Sequence, residues 1–318
     1  MTARLLAVAA ALVALVAIGL LADNYVLRLA ATACMYAALA LSWNLVGGFA
    51  GYPSFATAAF FGLGAYASGV AQDHSLPFWL AWVGAGTLAA AFAAALGGAI
   101  LHLKGHYFAI ASLVVADVLR ELVNSWTDVT GGGMGLNLPL IALGGPRAQA
   151  AFYFAAFAAV AIFALGVAFI VSRSRLGVGL RCVAENETAA PLIGVSVRSA
   201  KVKAFTLSGL IGGLTGAVYA SWVTYIDPTD VFDVLLSVKP IIMALIGGVG
   251  TVLGPVVGAI VFLGLEELIW RNVLEFHAGV LGLVVVALVL FLPAGLSGAK
   301  PFGLIRWIRG RAGRRGSA

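Results

Sequence analysis

Ionisable residues are scarce in this chain, and one group of them falls inside an apolar run. Residues 106–126 carry Asp117, Arg120, Glu121 and Asn124. Asp117 and Arg120 are three apart and Asp117 and Glu121 four apart, so a helix turns them broadly to one side. Charge in hydrocarbon is costly and faces a polar interior or a partner charge. Two readings follow: the group lines a solute pathway or gate, or it is a paired structural cluster near the outer end of a span. The loop that follows, 127–148, holds Thr130-Gly131-Gly132-Gly133 and Gly135. Such a turn brings backbone N–H groups toward a ligand or a docked protein, or it is only a connection.

Covalent chemistry finds no foothold. There is no GxxxxGK[ST] phosphate loop, because Gly298-Ala299-Lys300 runs into Pro301 without upstream glycines. There is no HExxH, and His74, His102, His106 and His277 are scattered at presumed span ends. No metal site, resident cofactor or catalytic centre is expected.

The elements that carry these residues are set by composition. Of 318 residues 62% are hydrophobic and 10% charged, and mean hydropathy is +1.05. A water-soluble protein of this size cannot cover that much apolar surface. Soluble enzyme, disordered chain and disulfide-rich secreted domain are excluded. Forty glycines fit a membrane protein. Cys34 and Cys182 fall on opposite sides of the topology below, so free thiols are expected.

A span needs about 20 apolar residues. Ten candidates are read: 5–22, 27–47, 54–71, 78–101, 106–126, 149–171, 204–225, 237–250, 252–270 and 278–297. The first also resembles a signal peptide, although Leu20-Leu21-Ala22 is a poor cleavage site. The eighth is short and glycine-broken, suiting a half-helix or re-entrant segment. If it and the ninth form a hairpin that does not cross, the count is eight. With the N-terminus inside, Arg4, Lys104, the basic residues from Arg173 to Lys203 and those from Lys300 to Arg315 are cytoplasmic. Arg28, Arg147, Lys239 and Arg271 are outside. That excess places both termini inside. The fold class is therefore an all-α polytopic transmembrane bundle, 1–297, with a basic cytoplasmic tail, 298–318. The tail, with Trp307 and Ile308 among its arginines, lies against anionic lipid rather than nucleic acid.

The largest inside connection is 172–203. Its middle predicts a short helix from about Leu176 to Leu192, ended by Gly194, with Asn186 and Glu187 as breaks or caps and Pro191 limiting continuation. It is either a rigid knob for a partner or a basic loop that sets topology. Gly209/Gly213 and Gly212/Gly216, each four apart, and Gly254/Gly258 make small faces for close helix packing, within the chain or between subunits. The acidic Tyr225–Asp233 stretch reads as an outer surface.

Four segments carry a family resemblance: LSWNLVGGFAGYPSFATAAFFGLGAYASG, GHYFAIASLVVADVLRELVNSWTDVTGGGMG, SRLGVGLR…ENETAAPLIGV continuing into KAFTLSGLIGGLTGAVYA, and MALIGGVGTVLGPVVGAIV. Together they resemble the LivM-type permease of branched-chain amino acid ABC transporters, over roughly residues 30–297. The resemblance implies half of an importer channel in a bacterial inner membrane. It implies a LivH-like second permease, two separate ATP-binding subunits that hold the ATP, and a periplasmic binding protein. It also implies that 172–203 contains the coupling segment, patterned EAA-xxx-G. Ala189, Ala190 and Gly194 match; Thr188 stands at the usual Glu position, with Glu187 one place before it. Relatives often read GQ-x-S-x-G where this chain has Gly51-Tyr52-Pro53-Ser54-Phe55-Ala56, so Pro53 and Phe55 are expected to reshape a pathway bend. Related systems carry urea, amides or aromatic acids. Asn44, Ser54, Asp117 and Arg120 are the pathway candidates. A secondary transporter driven by an ion gradient, using Asp117 and Glu121, is the rival.

Overall fold

A computed structural model describes residues 22–141 and 144–272, with residues 19 and 282 besides. The expected first and tenth spans fall almost wholly outside the described residues, and the tail does so entirely. The described helices are α1 (Asn24–Trp43), α2 (Thr57–Asp73), α3 (Phe78–Ile100), α4 (His106–Ser125), α5 (Pro146–Arg173), α6 (Arg175–Glu185), α7 (Val197–Val223), α8 (Leu235–Gly247) and α9 (Gly254–Asn272). Single helical turns occupy Thr127–Thr130 and Pro228–Val231. Two short strands, β1 (Leu136–Asn137) and β2 (Tyr225–Ile226), pair antiparallel. That ladder is an addition to the all-α expectation.

Among the described residues four segments are long and apolar enough to cross a membrane: Asn24–Gly48, Phe78–Ile100, Pro146–Arg173 and Val197–Val223. The expected 54–71 span is shorter, 17 residues from Thr57, because 51–55 is non-helical. The expected 237–250 span is the 13-residue α8. At 1.5 Å per residue α8 reaches about 20 Å, short of the roughly 30 Å hydrocarbon core.

α7 is the central strut, packed against α2 on one side and α3 on the other. Its glycines make this possible. A methyl on Gly213 would collide with Ala89 of α3, and one on Gly209 with Ala93. Gly212 and Gly216 face Phe60 and Phe61 of α2 in the same way. Both small faces therefore pack inside this chain. So does the third, where Gly254 meets Gly247 and Gly258 meets the Met243 carbonyl of α8.

The connections gather at two ends. At one, Gly51 lies against Ala184, and the 101–104 turn meets 187 and 201. At the other, β1 pairs with β2, and Leu138 N donates to Thr224 O at 2.8 Å. There a buried polar cluster ties α2, α3, α5 and α7: the Ser221 hydroxyl receives Gln72 Nε2 and Trp82 Nε1, each at 2.9 Å. Tyr153 donates to the Ser221 carbonyl at 2.6 Å. Each partner is satisfied, so the cluster rigidifies rather than strains the bundle.

Candidate functional site

The knob between α5 and α7 is built from local chemistry. Ser174 caps α6, its hydroxyl accepting from Gly177 N. α6 buries Leu180 and Val183 and exposes Arg181. The expected helix 176–192 is in fact divided. α6 stops at Glu185, and Asn186 turns extended, with φ −158°. Its Oδ1 accepts from Thr188 N at 3.0 Å, Thr188 Oγ1 at 2.6 Å and Ala189 N at 3.1 Å. A side chain that bonds the following N–H groups competes with the helix backbone, which is why the helix breaks there. A 3-10 turn, Ala190–Ile193, follows, and Gly194 closes it at φ +82°, a conformation glycine adopts freely. At its tip Leu192 and Ile193 are 87% and 70% exposed.

Beneath the tip lies an ion-paired network. Lys201 Nζ donates to Glu187 Oε1 at 2.9 Å, to Tyr52 OH at 3.0 Å and to the Leu101 carbonyl at 2.7 Å. All three ammonium donors are used, and Lys201 is only 4% exposed. Tyr52 OH donates to Glu187 Oε2, and Lys104 stands 3.9 Å from the same oxygen. The ammonium also lies 4.3 Å from the centre of the Tyr52 ring. Burial pushes the Glu187 carboxyl up, but the Tyr52 and Lys201 hydrogen bonds and the charges of Lys201 and Lys104 outweigh it. The carboxyl is held below its ordinary value, so Glu187 is ionised at neutral pH. A cavity of about 420 Å³ adjoins the network, bounded in part by His102, Glu187, Arg198 and Lys201.

Sequence reasoning found Glu187 but missed Tyr52 and Lys201 as its partners. Lys201 had one legible signal: it shares a helix stripe with Ala204, Phe205 and Ser208, at i+3, i+4 and i+7, all of which are buried. Tyr52 had none, since only the fold brings 49–56 to α7.

The pathway candidates separate into two pairs. Asn44 and Ser54 are buried beside a break in the bundle. α1 ends in a π-helical turn, Asn44–Gly48. The Asn44 amide donates to Thr251 O at 2.8 Å and accepts from Gly250 N at 2.9 Å. The extended stretch after it is bonded by side chains. Trp43 Nε1 donates to Ser54 O at 2.9 Å, Phe55 N donates to Ser112 Oγ at 2.9 Å, and Ser237 Oγ donates to Phe55 O at 2.6 Å. Non-helical backbone at membrane depth needs such partners.

Asp117 and Arg120 sit apart from that break, on α4, 3.2 Å from each other and 48% and 42% exposed. α4 buries one stripe, Phe108, Ser112, Ala116 and Leu119, and among the described residues its opposite face, with Ile110, Val114, Val118 and Glu121, is exposed. Arg120 also lines a cavity of about 220 Å³ with Asn124, Gly133, Tyr225, Asp227 and Thr229. The glycine-rich loop forms one wall, with positive φ at Gly131, Gly132 and Gly135. Asp227 caps the turn Pro228–Val231, accepting from Thr229 N at 2.7 Å and Asp230 N at 3.1 Å. Burial raises its pKa, but these bonds and that from the Thr229 hydroxyl prevail and hold it low. The cavity thus presents a guanidinium and an ionised carboxylate together.

Long apolar helices, glycine-seamed and bonded at their breaks by side chains, define an integral membrane protein. The family described as branched-chain amino acid transport system / permease component matches residues 25–292, and the chain belongs to that family. The high-affinity branched-chain amino acid transport system permease protein LivM of Escherichia coli K12 is 27% identical over 82% of this chain and 67% of its own length. The protein of the same description from Salmonella typhimurium LT2 is 26% identical over the same shares. A probable LivM of Methanocaldococcus jannaschii is 22% identical over 84% of this chain and 91% of its own. No solved structure matches the chain.

Proposed function

We propose that this chain is the membrane-spanning permease subunit of an ATP-driven importer of branched-chain amino acids in a bacterial inner membrane. It forms half of the pathway beside a LivH-like permease, takes solute from a periplasmic binding protein, and relies on two ATP-binding subunits for hydrolysis. It carries no cofactor and performs no bond chemistry itself. The observation that carries the reading is the knob at 186–194: two large aliphatic side chains held out on a turn clamped by Asn186 and Gly194. Thr188, Ala189, Ala190 and Gly194 make its frame. This end faces the cytoplasm, because Lys104, Arg181, Arg198 and Lys203 gather there.

The face of α4 that is exposed among the described residues lines the pathway. Asp117, Arg120 and Glu121 on that face do not suit lipid, and a second permease across a wet pathway satisfies them. The cavity at the far end of α4 favours a zwitterion, with Arg120 for a carboxylate and Asp227 for an ammonium group. Urea and amides offer neither charge, and aromatic acids lack the ammonium. Closure of the ATP-binding subunits moves the knob, and the move alternates access to the pathway.

The test is uptake of labelled leucine into liposomes holding the chain with its partner permease, ATP-binding subunits and binding protein. ATP-dependent uptake is expected, and Gly194→Val inserts normally but hydrolyses ATP without matching uptake. Normal uptake by Gly194→Val removes the coupling assignment, and uptake by the lone chain on an ion gradient removes the importer.

A further inference from the structure

The acid of the coupling segment points the wrong way for a docking contact. Both Glu187 oxygens are engaged inward, one by Lys201 and one by Tyr52, while Leu192 and Ile193 stand outward at the tip. We propose that Glu187 is a positioning residue, and that its ion pair with buried Lys201 is the joint through which movement of the knob reaches α7 and the 49–56 segment. This rests on the coupling reading given above.

Three observations support it. First, the ammonium has no slack. Its three donors go to Glu187, Tyr52 and the Leu101 carbonyl at the end of α3. A buried charge with every bond made resists being left behind when its partner moves. Second, the joint lies on the strut. Lys201 is in the second turn of α7, and seven residues on, the Ser208 carbonyl accepts from Ser42 Oγ of α1 at 2.9 Å. Third, the Tyr52 arm continues directly into Ser54 and Phe55, whose backbone is bonded to Trp43 of α1, Ser112 of α4 and Ser237 of α8. One pair of charges therefore links the knob to the helices around the break in α1 and to α4, which carries Asp117 and Arg120. Leu192 and Ile193 are left as the contact offered to the ATP-binding subunit.

The test uses the full complex in liposomes, with two readouts: leucine taken up per ATP hydrolysed, and the subunit ratio of the purified complex. Lys201→Met keeps most of the side-chain length and removes the charge. It is expected to keep the wild-type subunit ratio and lower uptake per ATP by about tenfold, the range of ordinary coupling between sites. Lys201→Arg restores the charge, and the adjoining cavity of about 420 Å³ has room for the guanidinium. It is expected to recover most of the lost uptake per ATP. Tyr52→Phe removes one oxygen only and guards against misfolding of the Met variant; it is expected to lower uptake per ATP by about threefold to tenfold. Wild-type uptake per ATP in Lys201→Met or in Tyr52→Phe overturns the proposal. So does loss of the ATP-binding subunit from Glu187→Gln alone, which makes Glu187 a docking contact. A wild-type complex that takes up leucine without ATP hydrolysis overturns the importer reading, and the joint with it.

Discussion

Asn44 grips the turn between α8 and α9 at two backbone points, donating to the Thr251 carbonyl at 2.8 Å and accepting from the Gly250 amide at 2.9 Å. The π-helical end of α1 and the α8–α9 turn are therefore one joint. Asn44 is fully buried, so Asn44→Ala leaves an N–H and a carbonyl without partners. Each orphaned group costs about 1–3 kcal/mol. Thermal unfolding in detergent is expected to show a clear loss of stability. A midpoint equal to wild type means that the joint is not holding the hairpin.

Gly213 is one of the tight α7 seams: a methyl there would collide with Ala89 of α3, and its backbone lies against Gly64 of α2. Gly213→Leu has no room against α3, and overpacking of this kind costs about 1–3 kcal/mol or more. Gly84 on the exposed face of α3 has nothing among the described residues within 4 Å of an added Cβ, so Gly84→Ala is expected to be neutral or stabilising by about 0.5–1 kcal/mol. The pair of variants compared by membrane yield and unfolding midpoint separates packing from composition. Equal behaviour contradicts the seam.

At Gly194 the strain is in the backbone, because φ is +82° and among the described residues nothing lies within 4 Å of an added Cβ. Gly194→Val is expected to cost about 1–2 kcal/mol locally. Gly194→Asn, which tolerates the left-handed region better, is expected to keep more coupling. Coupling that falls equally in both points to side-chain contact with the partner rather than to turn geometry.

The Glu187 pair also sets a pH limit. Its carboxyl titrates below its ordinary value of 4.5 in the folded chain. A lowered folded value means stability that is fully present above 4.5 and drains away as pH falls through the folded value. Coupled uptake and stability are expected to be flat from pH 8 to about pH 5 and to fall below that. Glu187→Gln is expected to lack that part of the acid loss. An acid profile identical to wild type assigns the loss to other carboxylates.

Arg120 and Asp227 share the outer cavity. Arg120→Gln and Asp227→Asn are each expected to raise the leucine concentration for half-maximal uptake by about tenfold, the scale of one lost charge-assisted contact. Insertion and ATP hydrolysis report whether the complex is intact. Unchanged half-saturation in both variants means that solute bypasses this cavity.

Much of the fold was legible because the signals are local. Apolar runs of span length mark α1, α3, α5 and α7, and glycines four apart mark the seams of α7 and α9. The shortness of α8 was visible in its length and glycines. The knob was legible in part: Asn186 and Gly194 marked its ends, yet the helix breaks at Asn186 instead of running to Leu192. An asparagine side chain competes with the helix from within the loop, and that competition is won only when the turn beyond it is supported.

The sequence by itself determined the solvent and the helical class, since these depend on composition and short-range spacing, and its motifs carried the family. Tertiary structure alone decided which way Glu187 faces. Tyr52, Leu101, Glu187 and Lys201 are far apart in the chain, and a buried ammonium is satisfied by whichever oxygens the packing of α3 and α7 brings within 3 Å. The same holds for Asn44 and the α8–α9 turn: a break in one helix is tolerated because another break, some two hundred residues later, supplies its hydrogen bonds.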